Sequence, residues 1–300
     1  MNDRRFDFID SQVNPILTPS DTAQSKAVFN SAVILDRGMF HMLYRLQRSD
    51  DELTGRIMLA TGTDSFRLTP CPDPVLVPEH DWEKFGCEDP RVVKFNGSFY
   101  LTYNGAYTWS PELKYYSQAC LATSEDLVRW KKHGPLLKPQ EGTWCWMGHK
   151  SAAIIPERIN NQYVMYFEGR GIPGPGQERI GIAYSQDLVH WHADFSGPVL
   201  APRDGLFDSK GVEPGCVVVT DDGILLIYNS WNWDNVFRPG WALFAREEPA
   251  RLLARCSEPL LNRKEKIIFT ESLVQCEGRW LLCYRLNDLV INVAISKEET

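Results

Sequence analysis

The 300-residue sequence has no uninterrupted apolar stretch of the ~18 residues that a membrane-crossing helix requires. Met1 to Asp7 likewise hold no apolar core of a secretion signal. The expectation is a soluble cytoplasmic protein with no membrane partner. An excess of positive charge is also missing: the net charge is −7, and acidic and basic residues are interspersed without a basic stripe. Nucleic acid is therefore not an expected partner. The eight cysteines, at positions 71, 87, 120, 145, 216, 256, 276 and 283, show no pairwise spacing, and several sit in apolar runs. They read as buried free thiols, not as a disulfide framework. With the six histidines they form no zinc-type cluster, so neither a metal nor a cofactor is expected. No linker interrupts the chain, which predicts one domain over residues 1–300; the Pro/Gly-rich stretch Gly169 to Gly176 reads as an elaborated loop inside a unit.

What the chain does have is an internal period. Short apolar runs end in Tyr44, Tyr103, Tyr166, Tyr228 and Tyr284, at gaps of 59, 63, 62 and 56 residues. A second ladder, Asn30, Asp89, Ser151, Glu213 and Glu271, runs in step with it at gaps of 59, 62, 62 and 58. Each unit reads as a small antiparallel sheet. In the second, Arg91 to Phe95 is a strand, Asn96-Gly97 a hairpin turn, Phe99 to Tyr103 the return and Ala119 to Thr123 a third strand. The third repeats the plan, with Ser151 to Pro156 leading, Asn160-Asn161 turning, Tyr163 to Phe167 returning and Ile180 to Tyr184 following. Recurrent sheet units without intervening helices predict a five-bladed β-propeller, an all-β fold. A β-sandwich also gives regularly spaced strands, but no reason for a period near 60 residues. Ser124-Glu125-Asp126-Leu127-Val128-Arg129-Trp130 and Ser185-Gln186-Asp187-Leu188-Val189-His190-Trp191, 61 residues apart, fit a capped turn with tryptophan packed between blades.

The innermost strand of each blade lines the axis, so the second ladder should converge on one funnel, with Glu88 and Lys150 beside it. Several like charges within about 6 to 8 Å of one another cost several kcal/mol, and such sites are usually functional. Trp109, Trp144, Trp146, Trp231, Trp233 and Trp241 fall in turn-rich segments, where exposed indoles suit the apolar faces of sugars; packing between blades is the alternative role for each. Paired carboxylates facing an aromatic-lined cleft point to glycoside hydrolysis, one acid protonating the leaving oxygen and another carboxylate activating water or attacking carbon. Taken singly, each carboxylate could instead cap a turn, as Asp89-Pro90 would.

Glu88-Asp89-Pro90-Arg91, Tyr44-Arg45, the two Ser-x-Asp-Leu-x-x-Trp segments, Phe207-Asp208-Ser209 and Glu258-Pro259-Leu260-Leu261 together resemble glycoside hydrolase family 130. The resemblance extends from Asn30 to Ser296. It implies a five-bladed propeller acting on β-mannosides, mostly by inverting phosphorolysis and in some branches by hydrolysis, with Asp89 as general acid. It also implies that Asn30, Arg45, Asp89 and Asp288 hold the mannosyl unit. Where phosphorylases of the family carry basic residues, this chain has Lys150, Glu168, Gly211 and Asn229, with Glu213 close by. Phosphate must be met by cations or amide donors when it leaves water, and two carboxylates do the reverse.

The expectation is therefore an inverting exo-β-mannosidase acting on small manno-oligosaccharides, possibly β-1,2-linked. In this reading Asp89 is the acid, directly or relayed through a sugar hydroxyl, Glu168 and Glu213 position and deprotonate the attacking water, and Asn30, Arg45, Lys150, Asn229 and Asp288 bind substrate. Arg91 either contacts substrate or pairs with a neighbouring carboxylate. A phosphorylase working through Lys150, Arg170 and Arg285 is the alternative. A glycosidase for arabinose, xylose or fructose units and a non-catalytic sugar-binding propeller are the further ones.

Overall fold

A computed structural model describes residues 7–22, 24–108, 116–171 and 178–297. Among the described residues, twenty strands form five four-stranded antiparallel sheets. The first blade holds β2 (Ser25–Asp36), β3 (Met39–Arg48), β4 (Arg56–Asp64) and β5 (Arg67–Pro70). The second holds β6 (Gly86–Phe95), β7 (Ser98–Thr108), β8 (Tyr116–Ser124) and β9 (Lys131–Pro135); the third holds β10 (Gly148–Ile154), β11 (Tyr163–Arg170), β12 (Arg179–Ser185) and β13 (Trp191–Ala193). The fourth holds β14 (Gly211–Thr220), β15 (Gly223–Trp231), β16 (Phe237–Phe244) and β17 (Leu252–Arg255), and the fifth β18 (Ile268–Cys276), β19 (Arg279–Leu286) and β20 (Val290–Ser296). The fifth blade takes its outer strand from the other end of the chain, β1 (Phe8–Asp10), which pairs with β20. The inner strands touch in the cyclic order β2, β6, β10, β14, β18 and back to β2. The fold is a five-bladed β-propeller. Among the described residues there is no α-helix, and no helix long and apolar enough to cross a membrane.

Hairpin chemistry sets the register of the inner strand pairs. Arg37-Gly38, Asn96-Gly97, Asn160-Asn161 and Glu277-Gly278 all take positive φ at both turn residues, the twist that a two-residue hairpin needs. Segments 109–115 and 172–177 fall outside the described residues, and with them Trp109 and most of the loop Gly169 to Gly176.

The tyrosine ladder is a set of anchors. All five rings are buried, and each hydroxyl bonds beyond its own hairpin: Tyr44 to Thr22, Tyr103 to Glu83, Tyr166 to the Pro249 carbonyl (2.7 Å), Tyr228 to Asp208 (2.8 Å) and Tyr284 to Asp10 (3.0 Å) on the outer strand of the same blade. Three of those carboxylates are in turn ion-paired, Glu83 to Lys132, Asp208 to Arg203 and Arg255, and Asp10 to Arg263. A ring that supplies apolar area and a hydroxyl that must find a partner suits a blade edge facing a loop. The Ser-x-Asp-Leu-x-x-Trp segments are capped turns. Ser124 Oγ accepts from the Leu127 amide (2.9 Å), Asp126 from the Arg129 amide (2.8 Å), and Trp130 Nε1 donates to the Leu127 carbonyl (3.1 Å); Ser185, Asp187 and Trp191 repeat the pattern.

Candidate active site

Near the end at which it enters the sheet, called here the upper face, each inner strand carries a β-bulge, which aims side chains at the axis. In the first three blades the ladder residue itself is left-handed: Asn30 (φ 50°), Asp89 (φ 50°) and Ser151 (φ 52°). Asn and Asp accept this conformation more readily than most side chains. In the fourth blade the register breaks at Gly215, two residues beyond Glu213, and in the fifth at Glu271. The five positions converge, but not in identical register.

One side of the funnel is built around Asp89. Its carboxylate accepts from Asn30 Nδ2, from Asn104 Nδ2 (3.2 Å) and from Arg45 Nη1 (3.0 Å). Arg45 is itself held by the Thr54 carbonyl (2.9 Å from Nε), by buried Glu88 (2.7 Å) and by the Phe29 ring, 4.7 Å from its guanidinium carbon. Burial pushes the Asp89 carboxyl up, but Arg45, Arg285, Lys150 and Arg91 together outweigh it and hold the group well below the usual carboxylate range. Asp89 is thus ionised in the unliganded protein.

The other side joins the third and fourth blades. Lys150 Nζ stands 3.3 Å from Glu168 Oε2 and 3.3 Å from Glu213 Oε2. Arg170 pairs with Glu178 at 2.8 Å and lies 3.9 Å from Glu168. Burial raises Glu168 well above the ordinary value, only partly opposed by Lys150, while Glu213 and Glu178 push it further the same way. For Glu213 burial also raises the value, but Lys150, Arg91 and a hydrogen bond from Glu168 overcome it, and the group is lowered. Glu213 therefore keeps its charge more readily than Glu168, and Lys150 faces both. Tyr116, Met147, His149, Lys150, Glu168 and Arg170 line a cavity of about 140 Å³.

Arg91 is a bolt across the axis. It donates to the Gly215 carbonyl (2.8 Å), the Pro214 carbonyl (2.6 Å) and the Asp89 carbonyl (3.1 Å), and reaches Glu213 at 3.4 Å. Asn229 is fully buried, with Nδ2 on the Thr270 carbonyl (2.8 Å) and Oδ1 accepting from the Thr270 amide (2.9 Å). That geometry places it in a clasp between the fourth and fifth blades, and not at an open position of the funnel. Asn104 forms the corresponding clasp between the second and third, accepting from the Ser151 amide at 2.8 Å. Asp288 lies on the turn after β19, its Oδ1 2.9 Å from Arg285 Nε at an angle that makes no hydrogen bond. Glu271 is the outlier of the ring. It is buried, neither carboxyl oxygen has a hydrogen-bond partner among the described residues, and burial raises it to about 8 against the opposing field of Arg91. It borders a second cavity of about 70 Å³ on the axis, shared with Arg91 and Thr102. Of the tryptophans, Trp231 and Trp241 are buried and Trp144 stacks on Phe167, whereas Trp146 and Trp233 are 42% and 64% exposed.

Comparison with known proteins bears on this site. A family model for glycoside hydrolase family 130, described as beta-1,4-mannooligosaccharide phosphorylase, matches residues 4–300. The 1,2-beta-oligomannan phosphorylase of Thermoanaerobacter sp. (strain X514) is 33% identical over 83% of this chain and 80% of its own length. Beta-1,2-mannobiose phosphorylase of the same strain is 30% identical over 95% of both chains. A solved structure at 28% identity aligns with a TM-score of 0.82 over 98% of this chain and 95% of its own. It is described by the statement that the GH130 family of mannoside phosphorylases contains glycoside hydrolases that target beta-1,2 mannosidic linkages in Candida mannan. The expectation of a hydrolase is overturned: the family model and both named relatives are phosphorylases. The argument behind it fails on charge, because it assumed that Glu168 and Glu213 would both repel phosphate. Glu168 is raised toward its neutral form, and Glu213 is bound to Lys150 and Arg91.

Proposed function

The chain belongs to glycoside hydrolase family 130, and from that premise we propose that it cleaves β-mannosides, β-1,2-linked ones first, by inverting phosphorolysis. The single observation that carries the reading is the cavity where Lys150 and Arg170 flank Glu168. A neutral carboxyl can donate a hydrogen bond to a phosphate oxygen while the two cations supply charge, which is what an oxyanion needs on leaving water. At about 140 Å³ the cavity is well above the ~10–15 Å³ that one water occupies.

In this reading the terminal mannosyl unit sits over Asn30, Arg45 and Asp89. A phosphate oxygen approaches the anomeric carbon from the Lys150 side, the new C–O bond forms as the glycosidic C–O bond breaks, and the departing oxygen takes a proton delivered through Asp89. Asp89 must first acquire that proton. A sugar ring laid over it removes its remaining water, which favours the neutral acid. That proton comes from solvent as substrate binds, and the monoprotonated phosphate returns one to solvent once it has become the ester, so the turnover balances.

The reverse reaction tests this. Mannose 1-phosphate and mannose given to the enzyme should release inorganic phosphate and build a β-mannoside. Absence of phosphate release, with a folded enzyme and both substrates present, would sink the proposal.

A further inference from the structure

Trp233 sits on the turn between β15 and β16, 64% exposed. A lone exposed indole carries little by itself, but this one is held and placed. Asn232 Oδ1 accepts from the amides of Asp234 (3.1 Å) and Val236 (3.0 Å), and the Asn232 carbonyl accepts from the Asn235 amide (3.0 Å). Lys210 Nζ donates to Asn235 Oδ1 at 2.7 Å and stands 5.6 Å from the Trp233 ring centre. The loop therefore holds an apolar plate and a cation together without burying either, although Trp231 and Trp241 of the same blade pack inside.

Position gives the plate a use. Glu213 pairs with Asn229, and Gly211 with Trp231, so the end of β15 lies at the same face as the funnel mouth. Trp233 is four residues past Asn229, which at about 3.3 Å per residue puts it up to ~13 Å beyond the carboxylates. That is farther than one sugar ring spans. Trp146, 42% exposed, enters at the same face two residues before β10, so exposed indoles stand at the blades on both sides of the Lys150–Glu213 link.

We infer that Trp233 is a remote sugar platform: a ring of the leaving oligosaccharide, beyond the one next to the cleaved bond, lays its apolar face on the indole while Lys210 meets its hydroxyls. The consequence is a preference for chains longer than a disaccharide. The inference rests on the proposed action on β-mannosides, but not on phosphate being the attacking group.

The test compares Trp233→Ala and Trp233→Phe with the wild-type enzyme on β-1,2-mannobiose and on β-1,2-mannotetraose, following substrate disappearance. Trp233→Ala should lower kcat/KM on the tetraose about tenfold, the scale of one lost apolar stacking face, through KM, and leave the disaccharide within about twofold. Trp233→Phe should recover most of the loss. Equal effects on both lengths, no effect on either, or a change of oligomeric state in Trp233→Ala each overturn the inference. Disappearance of substrate without any phosphate requirement defeats the proposed reaction and leaves this result standing.

Discussion

Lys150 reaches across from the third blade to Glu213 on the fourth, 3.3 Å away, and holds Glu168 at the same distance. This one amine faces both carboxylates: it helps hold the charge on Glu213, whereas burial and Glu213 raise Glu168 against its pull. Its neighbours Arg91 and Arg170 add positive charge on either side, so the pocket accepts an anion that two ionised glutamates would reject.

The two glutamates should therefore respond unequally to amidation. Glu168→Gln preserves a neutral donor and should keep activity within a few-fold. Glu213→Gln removes the negative charge beside Lys150 and Arg91, leaves both cations freer to meet the anion, and should lower the KM for phosphate. Initial rates over a phosphate series read both. A severe loss in Glu168→Gln with an unaffected Glu213→Gln would reverse the assignment.

Glu271 gives a prediction in pH. Its folded value, about 8, lies above its ordinary 4.5. Its contribution to stability is therefore fully present below about 4.5 and is lost as pH rises through about 8, where the folded state must ionise a buried, unbonded carboxyl. Glu271→Gln should stabilise the protein at pH 8.5 by on the order of a few kcal/mol and much less at pH 5. Melting temperatures at the two pH values decide it; an equal shift at both would contradict the account.

Tyr228→Phe removes a hydroxyl that donates to Asp208 at 2.8 Å, while Arg203 and Arg255 still hold that carboxylate. The expected loss is about 1 kcal/mol, because the remaining partners keep Asp208 satisfied. Denaturant midpoints should move and kcat should not. A change in kcat with unchanged stability would mean that the anchor communicates with the site.

The propeller was legible in the chain because its two devices are sequence-local: the period of the tyrosines and the positive-φ turns such as Asn96-Gly97. The closing strand Phe8–Asp10 was not, since three residues carry no periodicity and their partner, β20, lies at the other end of the sequence. Within the site, the residue types were visible and their charge states were not. Glu168 reads as an anion on paper, and burial together with Glu213 raises it toward its neutral form. Asn104 went unread although it had a signal: it directly follows Tyr103, as Arg45 follows Tyr44 and Asn229 follows Tyr228. Reading that position along the ladder points to the clasps Asn104 and Asn229 and to Arg45 and Arg285, with Phe167 of the third unit as the exception. Asn229 shows the converse, a polar residue that matches a ligand position by order while its amide is taken up by Thr270.

The most direct measurement of the central claim is the product formed from β-1,2-mannobiose across a phosphate series from none to saturation, separated by chromatography. The account predicts equal amounts of mannose 1-phosphate and mannose, formed at a rate that rises with phosphate and vanishes without it. Two mannose molecules per disaccharide, released at a rate indifferent to phosphate, would contradict it.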